Sequence, residues 1–202
     1  MFRLLVEGSD DLHLIKNLLR EQGVVLDPRE IVDCGGVHTL LEDSLPTHLR
    51  ASYDALGVVV DADIDVAARW QAIRDRLTVS GYDAPVQPSP DGLVLRSRRP
   101  MVGVWLMPDN VLAGAIEDFA RQLIAPGDEL WPAATTAVAA LPVPRRFADA
   151  IERKAEIHTY LAWQHEPGTP LGLAITKKYF ETDTALAQRF VTWVRRLIHD
   201  TH

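Results

Sequence analysis

Two stretches decide the fold: Leu4-Leu5-Val6-Glu7-Gly8-Ser9-Asp10-Asp11 near the start of the chain, and Leu56-Gly57-Val58-Val59-Val60-Asp61-Ala62-Asp63 further along. Each is a short, unbroken apolar run that stops abruptly at a carboxylate. A run of roughly four to eight apolar residues bounded by turn signals fits a strand buried on both faces, as strands of parallel sheets are. Between and around them the period changes. From Asp10 to Gln22, Leu12, Ile15, Leu18 and Leu19 fall on one helical face, with Ser9 placed to cap the helix and Gly23 to stop it. Ile31-Val32 reads as a second strand ending in Asp33-Cys34-Gly35-Gly36, and a helix from Val37 to Arg50 follows, broken or kinked by Pro46. A further amphipathic stretch runs from Val66 to Leu77. Strand and helix alternate three times, which predicts βαβ units and a mostly parallel sheet flanked by helices, an α/β fold of Rossmann-like type.

From Gly81 the pattern differs. Pro85, Pro88, Pro90 and Asp91-Gly92 mark a loop, and Leu93-Val94-Leu95 with Val102 to Met107 reads as an added hairpin across Arg98-Arg99-Pro100, giving the sheet one antiparallel edge. Helical spacing runs from Asn110 to Ile124 through Leu112, Ile116, Phe119 and Leu123. Residues 129–202 are helical in pattern but punctuated by Pro132, Pro142, Pro144, Pro167 and Pro170. The expected organisation is an α/β core over residues 1–125 and a helical C-terminal extension over 126–202, packed on that core as one domain.

Composition narrows the function. A 202-residue chain that is 47% hydrophobic and 24% charged buries enough surface to fold without staples. A single cysteine, Cys34, excludes a disulfide framework, a zinc ribbon and an iron–sulfur cluster. A net charge of −7 argues against coating nucleic acid by bulk attraction. No run approaches the roughly 18 apolar residues of a membrane span, and the opening Met1-Phe2-Arg3 leads into a run too short for a signal peptide, so the expected location is the cytoplasm.

Ligands of parallel α/β sheets bind outside the carboxyl ends of the strands. Three loops emerge there: Glu7-Gly8-Ser9-Asp10-Asp11, Gly35-Gly36 at the entry to a helix, and Asp61-Ala62-Asp63-Ile64-Asp65. Carboxylates on neighbouring strand ends repel one another unless a cation lies between them. An oxygen-only ligand set suits Mg²⁺, or Mn²⁺, better than zinc. A calcium loop beginning at Asp61 fails, because its sixth and twelfth positions are Val66 and Ala72 where Gly and Glu are required. Plainer roles exist for several of these residues: acids in a first helical turn complement the helix dipole, and Gly8, Gly35 and Gly36 can be turn residues.

The combination of Glu7 closing one strand with Asp61 and Asp63 closing another resembles the toprim fold, the metal-binding domain shared by topoisomerases, bacterial primases and the OLD (overcoming-lysogenization-defect) nucleases. The resemblance covers residues 2–65, and the Glu7-x-x-x-Asp11 spacing is most similar to the OLD-type branch. Trp105-Leu106-Met107-Pro108-Asp109-Asn110, Gly114-Ala115-Ile116-Glu117-Asp118 and Lys154-Ala155-Glu156-Ile157-His158 are similar to a small bacterial toprim-like family. The resemblance implies that Glu7 is a general acid/base or metal ligand, that Asp61 and Asp63 hold magnesium, and that Asp11 is a further ligand. It implies a second metal position at Glu117 and Asp118, and phosphate contacts at Gly35, Gly36 and Lys154.

The implied activity is Mg²⁺-dependent phosphodiester hydrolysis on DNA or RNA. The alternative is a non-catalytic toprim scaffold that binds metal, nucleotide or a partner within a defence or repair complex. The sequence holds no Gly-x-x-x-x-Gly-Lys-Ser/Thr loop, so an ATPase partner would be a separate chain. A haloacid-dehalogenase reading of Asp61-Ala62-Asp63 is disfavoured because Asp65 stands where that motif prefers Thr or Val, and Glu7 is left without a role.

Overall fold

A computed structural model describes residues 1–199 of the protein. Five strands, β1 (Phe2–Val6), β2 (Ile31–Asp33), β3 (Ala55–Asp61), β4 (Leu93–Leu95) and β5 (Met101–Met107), form one sheet in the order β2-β1-β3-β5-β4. β1 lies between β2 and β3, parallel to both, and β5 is parallel to β3; β4 is the antiparallel edge expected of the hairpin. The helices are α1 (Ser9–Glu21), α2 (Val37–Thr39), α3 (Leu45–Leu49), α4 (Val66–Val79), α5 (Ile116–Arg121), α6 (Leu130–Ala139), α7 (Glu152–Ala162), α8 (Leu171–Ala174) and α9 (Ala185–His199). Among the described residues no helix is long and apolar enough to cross a membrane.

Side-chain alternation divides the core into two layers. Leu4, Val6, Val59 and Trp105 face one way, against α1, α5 and the C-terminal helices; Leu5, Val58, Val60 and Val104 face the other, against α3 and α4. Residues after 126 therefore share a core with the sheet. Gly57 and Gly103 pair across β3 and β5, and a Cβ at Gly103 would stand 2.5 Å from Leu197. The two glycines cut a groove into which α9 settles.

Two elements differ from the expected pattern. Pro46 neither breaks nor ends its helix: α2 and α3 are joined through a π-helical stretch over Leu40–Ser44, which places the proline in the first turn of α3, where its missing N–H does least harm. The helix expected from Asn110 starts only at Ile116. Local side-chain bonds win over helix there: Asp109 Oδ1 accepts from the N–H groups of Val111 and Leu112, and Asn110, in the left-handed region, accepts the Leu106 N–H at 2.8 Å.

Candidate metal and phosphate site

Four acids meet at the carboxyl end of the sheet because three stretches of chain converge there, one of which carries both Glu7 and Asp11. Glu7 follows β1 and Asp61 ends β3, and these strands are neighbours. Glu7 Oε1 accepts the Asp61 N–H at 2.8 Å, which ties the two strand ends together. Asp11 is on the inner face of the first turn of α1 and is 5% exposed. Glu117 arrives on α5, which is drawn in by a two-residue antiparallel bridge: Asp63 and Gly114 exchange backbone hydrogen bonds of 2.9 and 2.7 Å. The result is a cavity of about 420 Å³ floored by Glu7, Asp11, Asp61 and Glu117 and walled by α7.

The electrostatics of the floor are unfavourable as they stand. Burial first, then the charges of Asp11, Glu7, Glu117 and Asp63, push the Asp61 carboxyl above the ordinary carboxylate range. Asp11 is raised for the same two reasons, burial and then Glu7, with partial relief from the N–H groups of Asp11 and Gly8. Burial also raises Glu7, opposed by the Asp61 N–H and the charge of Arg69. Asp11 Oδ1 and Asp61 Oδ1 are buried without a hydrogen-bond partner. An orphaned buried acceptor costs about 1–3 kcal/mol, more when charged.

Cations meet the remaining acids. Lys154 Nζ lies 3.0 Å from Glu117 Oε1 and 3.6 Å from Asp10 Oδ2. Burial alone would lower the Lys154 pKa; Glu117 and Asp10 outweigh it and hold the ammonium above the usual lysine value. Arg153 donates through Nε to Asp118 Oδ1 at 3.0 Å and also pairs with Glu156. Arg69, on α4, pairs with Asp63.

The expected site residues thus divide. Glu7, Asp11, Asp61 and Glu117 come together. Asp63 lines the cavity, its backbone takes the left-handed region and its carboxylate pairs with Arg69. Asp118 lines the cavity beside Glu117, where it caps α5 by accepting the Ala115 N–H at 3.0 Å and anchors Arg153. The phosphate role expected of Gly35 and Gly36 meets an obstacle, since their N–H groups donate to Asp33 Oδ1 and to the Glu7 carbonyl. Lys154 faces the cavity; His158 is exposed and outside it. Two pairs of adjacent basic residues, Lys177-Lys178 and Arg98-Arg99, have partners outside the cavity: Lys177 with Glu166, Lys178 with Glu21, Arg99 with Asp54, and Arg98 with the Gly81 carbonyl. Arg69 and Arg153 escaped sequence reasoning, because a lone arginine in a helix carries no signal of the loop acid it will meet.

The donor set fits a hard divalent cation. Every acid on the cavity floor offers oxygen, and the two orphaned oxygens are the groups such an ion satisfies. Among the described residues, no three acids close on one point as they stand. The reason is visible in their partners: Asp61 N–H holds Glu7, Lys154 holds Glu117, and Arg69 holds Asp63.

The chain belongs to the family described as Protein of unknown function (DUF3226), which matches residues 1–199. No curated protein and no solved structure matches it.

Proposed function

We propose that this member of the DUF3226 family is a toprim-like, Mg²⁺- or Mn²⁺-dependent phosphodiesterase acting on DNA or RNA. One observation carries the reading: Asp11 and Asp61, on adjacent chain segments at the carboxyl end of a parallel sheet, hold buried oxygens without a hydrogen-bond partner, and their pKa values are raised by burial and by neighbouring acids. Burying such a pair is costly for a protein that does not use it. When bound, a divalent cation supplies Lewis-acid polarisation of a phosphate. Glu7, whose pKa burial raises against the opposing Asp61 N–H and Arg69 charge, moves the proton. Lys154, 48% exposed and aimed at the cavity, offers positive charge to a phosphate oxygen. The proposed setting is the cytoplasm, with any ATPase function supplied by a separate chain.

Labelled single-stranded and duplex DNA and RNA, incubated with millimolar Mg²⁺ or Mn²⁺, test the reading. Cleavage that is lost with chelator and in Asp61→Ala is expected. Absence of cleavage on every substrate overturns the nuclease. A metal-binding scaffold without turnover is favoured by one observation, the 2.8 Å bond that holds Glu7 on the Asp61 N–H, where it serves as a brace rather than a proton carrier. Metal binding without cleavage would select it.

A further inference from the structure

Beside Asp11 and Asp61 lies a second pair of carboxylates, Glu117 and Asp10, and it is already occupied by charge. Glu117 has a side chain 9% exposed, so its carboxylate has little water to rely on, and Lys154 Nζ stands 3.0 Å from it. The same ammonium reaches Asp10 at 3.6 Å. Lys154 is brought within reach by the placement of α7. Its neighbour Arg153 pins α7 to α5 through Asp118, which in turn accepts the Ala115 N–H at the start of α5. The anchor fixes the spacing between the helix bearing Lys154 and the helix bearing Glu117.

Two-ion hydrolases hold their cations about 3.5–4 Å apart over adjoining carboxylates. Here the adjoining acids have different partners: one group waits without a cation, and the other holds a lysine. We propose that Lys154 is the built-in second cation of this site, so that the protein takes one divalent ion, at Asp11 and Asp61, and meets the far side of a bound phosphate with an ammonium instead of a second metal. An ammonium has three donors. Glu117 at 3.0 Å engages one, and Asp10 at 3.6 Å is an ion pair beyond hydrogen-bond reach, so donors remain for a phosphate oxygen. The inference rests on the metal site of the preceding reading and is independent of cleavage.

Mn²⁺ binding to the full chain, followed by the resonance of free Mn²⁺, gives the count. Wild type should take one ion, Lys154→Met two, and Lys154→Arg, which keeps the charge, one. The double variant Lys154→Met/Glu117→Gln should return to one, because the second position has lost its buried ligand. Two ions on wild type, or one on folded Lys154→Met, would overturn the proposal while leaving the metal site standing. No ion on wild type would overturn the metal site itself. Circular dichroism checks that each variant folds; Lys154→Gln repeats the test should the methionine variant fail, and the wild-type count stands alone in either case.

Discussion

The two sides of the cavity carry the same kind of residue in opposite states. On the strand side, Asp11 and Asp61 are buried, repelled by neighbouring acids, and each has an oxygen without a hydrogen-bond partner among the described residues. On the α5–α7 side, Glu117, Asp10 and Asp118 are each met by Lys154 or Arg153. Both sides are acidic, so composition does not distinguish them; the second residue of each pair does. An acid with its own lysine is finished as a structure. An acid without one bears the cost of its burial uncompensated.

The largest effect should come from removing the uncompensated side. Asp61→Asn should abolish Mn²⁺ binding and lower cleavage by about 10⁴-fold or more, since several kcal/mol of charge stabilisation leave with the ion. The same change should raise the melting temperature of the metal-free protein, because it removes a charge that burial and neighbours oppose. Lower stability of that variant would break the contrast between the two sides. Glu7→Gln separates the brace from the proton carrier: the amide still accepts the Asp61 N–H, so metal affinity should hold while cleavage falls about 10²–10⁴-fold. A parallel fall in affinity would make Glu7 a ligand; no change in either would make it only a strand end.

The pH dependence sharpens the contrast further. A carboxyl with a folded pKa above its unfolded one binds its proton more tightly when folded. Its contribution to stability is full below the unfolded value, near pH 4, and is lost as pH rises through the folded value. Asp11 and Asp61 are both raised, so the metal-free protein should lose stability from about pH 4 upward through neutrality. Each pKa unit is worth about 1.4 kcal/mol. Asp11→Asn should flatten that slope in denaturant titrations, and an unchanged slope would place the repulsion elsewhere.

The smallest effect is expected at Asp63, whose carboxylate is 54% exposed and paired with Arg69. Exposed ion pairs contribute about 0–1 kcal/mol. Asp63→Ala should change stability and Mn²⁺ affinity only slightly; a loss approaching that of Asp61→Asn would restore Asp63 as a ligand.

That last contrast marks where sequence reading ran out. Apolar runs ending in Glu7 and Asp61 announced two buried strands and the edge on which a site would lie; that the strands are neighbours came from the structure. Asp11 was legible from its spacing to Glu7. Glu117 was legible as an acid after a strand but not as a buried one, because its burial depends on the Asp63–Gly114 bridge and on α7, far away in the chain. Asp63 looked equivalent to Asp61 in the sequence, and burial, the left-handed backbone and Arg69 separate them. The shortened helix before Ile116 failed for a local reason: Asp109 and Asn110 turn their side chains to the backbone where the apolar spacing alone suggested helix.

Thermal unfolding of the wild-type protein at slightly alkaline pH, titrated with Mg²⁺, puts the uncompensated acids to trial in one assay. A ligand that binds only the folded state adds about 2.7 kcal/mol at a hundred times its Kd. For a domain of this size that should lift the melting temperature by roughly 5–10 °C. Mg²⁺ and Mn²⁺ should do so, calcium less, and Asp61→Asn should remove the response. A melting temperature that stays flat through millimolar Mg²⁺ and Mn²⁺ would contradict a cation site at Asp11 and Asp61.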